Sequence, residues 1–479
     1  MLFNSLTYAI FLPIVFCFYW LLKANYRWLL LLTASYYFYM SWNVKYVVLI
    51  LFTTTISFFA AIFLEKTTQT YKKKLILSIT AISSLGVLFY FKYFNFISES
   101  VIDFVSLFSI KLEPIVVEVI LPVGISFYTF QTLSYVIDVY KGEVKAEKHF
   151  GYYATFISFF PQLVAGPIER TKNLLPQIKN THIFNYDQAT YGLKLMAWGF
   201  FKKIVIADKL SNYVQIVFNH PQDFQGFSLI LASFFFTIQI YCDFSGYSDI
   251  AIGTAKLFGI DLMTNFKAPY FSQSIKEFWS RWHISLSTWF RDYLYIPLGG
   301  NRVSSIRHTI NLMSTFLVSG LWHGANWTFI FWGAIHGFAQ IVENIAYGNK
   351  HKINSSIIKF IRITITFTFC MCAWVLFVSK SLNDATYVFL HMFNGLNTPV
   401  LYFKNGLQAL HIDNPFLYRV GFSLLLLSIY DCYSTKLDIL ATLKMKHYLI
   451  RWCIYILLTL WILFNIPYDN TTEFIYFQF

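Results

Sequence analysis

Two histidines set in strongly apolar sequence, each followed by glycine, are the residues of this 479-residue chain best placed to do chemistry. One lies in Ser319-Gly-Leu-Trp-His323-Gly-Ala-Asn326 and the other, His336, follows in Gly333-Ala-Ile-His336-Gly337. A neutral imidazole in a dry pocket can take the proton of a hydroxyl, and a positioned general base contributes typically about 10²–10⁴-fold. Trp322 and Gly324 on either side of His323 predict such a pocket, tight and close to backbone. On one straight helix, at about 100° per residue, the two rings would point to very different faces, so they share a site only if the helix breaks between them. His336 also reads simply as a hydrogen-bonded packing residue.

A second candidate segment, Lys276-Glu-Phe-Trp-Ser-Arg281-Trp282-His283-Ile-Ser-Leu-Ser-Thr-Trp-Phe-Arg291-Asp-Tyr, interleaves tryptophans with cations. Positions 278, 282, 286, 289 and 293 follow helical spacing and make one apolar face, which leaves Arg281 and His283 to project elsewhere. Arg291 and Arg302 carry the planar guanidinium suited to phosphate or pyrophosphate, and serve equally well as interfacial anchors. In Tyr241-Cys-Asp243-Phe-Ser-Gly-Tyr-Ser-Asp249 two carboxylates flank a glycine in apolar surroundings. An ionisable group inside a membrane segment costs about 2.5–3.5 kcal/mol on insertion scales, so these face the protein interior. They are either functional groups or structural ones neutralised by a nearby Lys or Arg. Six cysteines read as buried thiols, and Cys370-x-Cys372 lacks the second ligand pair of a zinc site. A phosphate loop, a His-Glu-x-x-His pair and a Gly-x-Ser-x-Gly elbow are all missing from the sequence, which removes support for ATP-driven transport, zinc proteolysis and elbow-type hydrolysis.

The elements that must hold these residues are set by a composition of 57% apolar and 13% charged residues, the inverse of a soluble chain. Apolar runs over 6–22, 46–64, 75–91, 227–240, 357–378 and 452–466 approach or reach the roughly 20 residues that span hydrocarbon as helix. Backbone groups in lipid must be satisfied within the segment, so the spans are helices. The first run is read as a retained span, not a cleaved signal peptide. The expected fold is therefore all-α: a polytopic integral membrane protein with roughly 11–13 embedded helices. The net charge of +13 is spread over short connections, which fits positive-inside topology and excludes a nucleic-acid surface. Alternation of basic connections, among them 350–362 and 436–451, places both termini outside. Between about 115 and 345 the apolar stretches are interrupted by Pro122, Gly124, Pro161, Gly166, Pro167, Gly246 and Pro297, and broken helices at membrane depth are tolerated only inside protein or along a watery cavity. The organisation expected is one membrane domain over 1–479, with N-terminal helices over 1–114, a catalytic core of broken helices over 115–345 and C-terminal helices over 346–479.

Six stretches carry a resemblance: Leu121-Pro-Val-Gly-Ile-Ser-Phe-Tyr-Thr-Phe-Gln131, Phe160-Pro-Gln-Leu-Val-Ala-Gly-Pro167, the 241–249 stretch, Phe278-Trp-Ser-Arg-Trp-His283, Leu321-Trp-His-Gly-Ala-Asn-Trp327 and Phe474-Ile-Tyr-Phe-Gln-Phe479. Together they resemble the membrane-bound O-acyltransferases, in the bacterial branch that includes the membrane subunit of alginate O-acetylation and relatives in peptidoglycan O-acetylation and teichoic-acid D-alanylation. The resemblance implies a ring of helices around a central tunnel, with funnels from both faces meeting at His323. It implies that His323 is catalytic and that His283, often Asn in other branches, is a second active-site residue. Arg281, Trp282, Arg291, Trp322, Asn326, Asp243 and Gln131 are the expected donor- or substrate-binding residues, with no metal and no tightly bound cofactor. The implied donor is acetyl-CoA or an acyl carrier protein thioester, the acceptor a polysaccharide, and the partner an exported, SGNH-type esterase-like protein at the bacterial inner membrane. Two rivals stand beside this reading. A transporter or flippase would show pseudo-symmetric halves, which the sequence lacks. A scaffold subunit would tolerate replacement of both histidines.

Overall fold

The computed structural model describes residues 1–110, 112–164, 166–347, 355–466 and 474–475. Ala165 of the second motif, positions 350–354 of the basic 350–362 connection and residues 476–479 of the terminal motif lie outside the described residues. Among the described residues all regular structure is helical, and the chain divides into two compact units, Met1–Met196 with Ile250–Met263, and Ala197–Asp249 with Thr264–Phe479.

The first unit contains α1 (Leu6–Leu21), α2 (Arg27–Met40), α3 (Val47–Lys66), α4 (Thr70–Leu88), α5 (Ile125–Tyr140) and α6 (Phe150–Ser158). Ser5 starts α1 by accepting the Tyr8 N–H at 3.2 Å, one of the donors a helix start leaves without an internal partner. Along α1 the exposed Leu6, Ile10, Ile14, Phe18 and Leu21 form a stripe opposite the buried Tyr8, Phe11, Leu12, Val15 and Tyr19. Both faces are apolar, as they must be when one meets lipid and the other protein. Polar clasps pin the packing. Tyr8 Oη lies 2.6 Å from Thr254 Oγ1, Ser57 Oγ lies 2.7 Å from Tyr153 Oη, and Gln131 Nε2 donates to the Phe156 carbonyl at 2.9 Å. Gly124, with φ 76°, starts α5 where a Cβ would stand 2.8 Å from the Leu163 carbonyl oxygen.

In the second unit lie α7 (Asp208–Asn219), most of α8 (Phe227–Leu257), α9 (Ile275–Arg281), α10 (Ile284–Phe290), α11 (Ser305–His323), α12 (Trp327–Tyr347), α13 (Ser356–Val378), α14 (Asn414–Ser434) and α15 (Tyr448–Leu463). Among the described residues five helical stretches are long and apolar enough to cross a membrane: Val44–Lys66, Thr70–Ser106, α8, α13 and α14. Two shorter apolar helices, α1 and α15, join them. Burial separates α8 from the rest, at 78% of its apolar window against 17–44% for the other four, so α8 is the span wrapped in protein and able to carry polar groups.

One buried carboxyl of the first unit makes a measurable claim. Glu169, fully buried in the connection before residue 171, accepts hydrogen bonds from the Met263 N–H and from Asn173 Nδ2. Burial nevertheless pushes its pKa up from 4.5 to about 7. Because the folded state then binds a proton that the unfolded chain has released, folded stability falls as pH rises from about 4.5 to about 7 and is flat above. Glu169→Gln keeps an acceptor and should flatten that slope in thermal unfolding of the detergent-solubilised protein; an unchanged slope in the variant would assign the pH dependence to other groups.

Candidate active site

The site is built on a helical hairpin that crosses unusually close. α11 and α12 meet at Gly320 and Gly333, where a Cβ on Gly320 would stand 2.3 Å from the Phe329 carbonyl oxygen and one on Gly333 would stand 2.3 Å from that of Phe316. Small residues that let two backbones touch are the usual basis of helix association in lipid, where hydrophobicity alone gives no preference for protein. The hairpin turn falls at Gly324, whose Cβ would lie 2.1 Å from an edge atom of the Phe329 ring, so only glycine lets that ring close over the turn. Asn326 then starts α12. Its Oδ1 accepts the Thr328 N–H at 2.9 Å while its Nδ2 donates to the Lys380 carbonyl at 2.9 Å.

The break places both histidines against one tryptophan. The His323 and His336 rings lie 5.0 and 4.9 Å from the Trp332 ring. His323, the last residue of α11, is buried at 3% exposure with Trp322 at 5.0 Å and Phe377 of α13 at 5.3 Å around it. His336 Nδ1 accepts the Trp279 indole N–H at 3.3 Å, and Phe369 closes its other side at 5.2 Å, so it is a hydrogen-bonded packing residue. On the far side of Trp322 lies His283, 6.1 Å ring to ring and fully buried, edge-on to Phe244 at 4.5 Å. Its backbone is left-handed, with φ 42° and ψ 53°, at the start of α10.

The other expected residues are placed as follows. Trp282 is fully buried, stacked on Phe278 at 5.5 Å and touching Trp374 at 5.0 Å. Arg281 pairs with Glu277 one turn back on α9 and reaches the Ala268 carbonyl at 3.4 Å. Arg291 is exposed and bonded to Asp292 at 2.8 Å. Gln131 belongs to the first unit, where it braces α6. Trp282, Trp322, His283 and His323 thus fall in one aromatic cluster, whereas Arg281, Arg291 and Asn326 have partners outside it.

Asp243 sits in an ion network. Its carboxylate takes Lys203 Nζ at 2.7 Å and the backbone N–H of Ile475 at 2.8 Å, and the same Nζ reaches Asp208 at 2.9 Å. Lys202 pairs with Asp249 at 2.8 Å, and Tyr241 donates to Asp431 of α14 at 2.7 Å. Both lysines lie in a π-helical segment, Phe201–Ala207, whose residues are all buried. Phe474 packs on Tyr247 and Phe244, 4.6 and 5.7 Å away, beside the Ile475 contact. Lys202, Lys203, Asp431 and Asn265 were not among the residues expected at the site. The signal for the first three was available, since each is an ionisable residue inside an apolar run; Asn265 carried none.

Comparison with known proteins identifies the family. The family model of the membrane-bound O-acyltransferases covers residues 68–383, which include both histidine motifs. A probable alginate O-acetylase of Azotobacter vinelandii is 40% identical over 82% of this chain and 78% of its own length. The chain belongs to the membrane-bound O-acyltransferase family. The resemblance read from the motifs is therefore borne out, as is an all-α, multi-pass membrane fold, and the protein is an acyltransferase. A peptidoglycan O-acetyltransferase of Helicobacter pylori is 37% identical over 83% of the chain and 80% of its own length, and a teichoic acid D-alanyltransferase of Streptococcus thermophilus is 30% identical over 54% and 69%.

The crossing of α11 and α12 is open to a direct test. Gly333→Val forces a side chain into the Phe316 backbone and should cost about 1–3 kcal/mol or more, lowering the yield of monodisperse protein in fluorescence size-exclusion chromatography. Gly421→Ala on α14, where nothing lies within 4 Å, should leave the yield unchanged. Equal yields for the two variants would show that the close crossing is not what holds the hairpin.

Proposed function

We propose that this protein transfers an acetyl group from a cytoplasmic thioester, acetyl-CoA or an acyl carrier protein, toward the hydroxyl of an extracytoplasmic polysaccharide at the bacterial inner membrane. The observation that carries the reading is His323, an imidazole buried in aromatic walls at a break between two helices, inside the region shared with the O-acyltransferases. Neutral imidazole accepts the hydroxyl proton as the oxygen attacks the thioester carbonyl. The C–S bond breaks as the C–O bond forms, and the departing sulfur takes the proton back from the imidazolium. A thioester is already activated, so no nucleotide is consumed. His283 orients donor or acceptor across Trp322. A tunnel open to both faces would let a donor from one side reach an acceptor hydroxyl from the other; where that hydroxyl belongs to an exported esterase-like partner, the partner carries the acetyl ester and passes it to the glycan hydroxyl in a second transfer. The acetylated polymers named for the relatives from Azotobacter vinelandii and Helicobacter pylori support the acceptor class.

His323→Ala should lower O-acetylation of the cell-surface glycan by about 10²-fold or more, measured by mass spectrometry, with the amount of protein in the membrane unchanged. Full acetylation by that variant would reject the assignment. Transport of a glycan by purified protein in liposomes without any acyl donor would favour the flippase reading instead.

A further inference from the structure

His283 holds a backbone conformation that L-residues adopt reluctantly, and such a conformation persists only where its surroundings over-determine it. One residue supplies most of that constraint. Asn265 lies in the connection between α8 and α9, almost fully buried. Its backbone carbonyl accepts the Ile284 N–H at 3.0 Å, and two residues on the Lys267 N–H donates to the Arg281 carbonyl at 3.0 Å, so the segment clasps the turn on both sides of His283. Its side-chain oxygen takes three donors: the Ser285 N–H at 3.1 Å, the Ser285 hydroxyl at 2.9 Å and His283 Nδ1 at 3.1 Å.

The backbone donor settles the orientation of the amide. A main-chain N–H can only donate, so the Asn265 atom facing Ser285 is the oxygen, and the amide nitrogen is the atom 3.3 Å from Ser248 Oγ. An amide oxygen can only accept, so the ring nitrogen beside it must carry the proton. Burial pushes the His283 pKa down to about 3, so the ring is neutral and has one proton to place. The titratable groups on the surrounding elements leave this unchanged. On α8, Asp243 and Asp249 are paired with Lys203 and Lys202, and Tyr247 packs on Phe474. Beside the turn, Arg281 is paired with Glu277 and Lys267 bonds through its backbone, while His323 stands beyond Trp322.

We propose that Asn265 is the positioning residue that fixes His283 as the Nδ1–H tautomer, so that any hydrogen bond or proton His283 accepts during acyl transfer is taken at Nε2. The inference rests on the reading of His283 and His323 as the active-site pair. It assigns to an amide the orienting part that a third group plays for a catalytic base.

The test uses the full-length protein with ring-15N histidine in lipid bilayers, where solid-state NMR reports which nitrogen is protonated and His283→Gln identifies the signal. The wild type should show Nδ1–H. In Asn265→Ala the preference should be lost to Nε2–H, and glycan acetylation should fall on the order of 10²-fold. Asn265→Asp keeps the acceptor and adds a charge, so it should retain Nδ1–H, recover acetylation relative to the alanine variant, and titrate at higher pH than the wild type. Ser285→Ala leaves the backbone donor and should not change the tautomer. Nε2–H in the wild type, or an Asn265→Asp ring that titrates as the wild type does, would overturn the proposal even if Asn265→Ala fails to fold. Acetylation that survives His323→Ala but falls in Asn265→Ala would sink the active-site reading and leave the tautomer assignment standing; acetylation lost in His323→Ala but kept in both Asn265 variants would sink this inference alone.

Discussion

Where two helices touch through glycine backbones, a membrane protein gains what lipid cannot offer, and the crossing of α11 and α12 at Gly320 and Gly333 is the contact on which the rest of the site depends. Lipid tails are as apolar as leucine, so apolar side chains alone give these helices no reason to pair. Removing the Cβ atoms brings the main chains within van der Waals reach and lets the turn at Gly324 be short. That turn ends α11 at His323. Trp332, on the second helix, then falls between the two histidines, and α13 adds Trp374 and Phe377 as the remaining walls. Shifting the helices apart by the width of a side chain would open this aromatic packing at once.

Charge is handled separately from that wall. Two lysines and four aspartates are buried or nearly so in the second unit, at positions where each would cost several kcal/mol if left alone. They occur instead as contacts of 2.7–2.9 Å, with Lys202 and Lys203 consecutive in the fully buried π segment at Phe201–Ala207. Lys203 bridges α7 and α8, while the Tyr241 to Asp431 bond ties α8 to α14. Removing one member of such a pair is costly, about 3–5 kcal/mol, because the partner's charge stays behind. The network thus fixes the register of α8, and with it the Phe244 ring that packs on His283.

Much of this was legible in the sequence, for reasons that also explain the rest. Long apolar runs declare themselves, because lipid demands them regardless of packing, and the motifs around His283 and His323 identified the family. From the sequence a helix break is only the condition under which His323 and His336 can share a site; the structure supplies that break at Gly324. Which face of α1 meets protein was not legible, since Leu6 and Leu12 have the same chemistry and opposite burial. The partners of Asp243 and Asp249 were foreseen only as an unnamed Lys or Arg, because they lie some forty positions away and sequence periodicity does not encode which cation packs against them. Asn265 was missed for a simpler reason: an asparagine in a connection ordinarily marks a turn, and only the three donors converging on its oxygen give it another meaning.

The two histidines are set up by different physics, and that difference bears on how an acyl group is handled. His323 is enclosed by the Trp322, Trp332 and Phe377 rings at 5.0–5.3 Å. His283 is held by a strained backbone and an oriented amide, which define one ring plane. A transfer reaction needs both kinds of group. In the proposed transfer one group changes protonation state as the carbonyl is attacked, and the other keeps the reacting partners aligned. Trp322 lies against each ring, 6.1 Å from His283 and 5.0 Å from His323, so an indole stands between the two imidazoles.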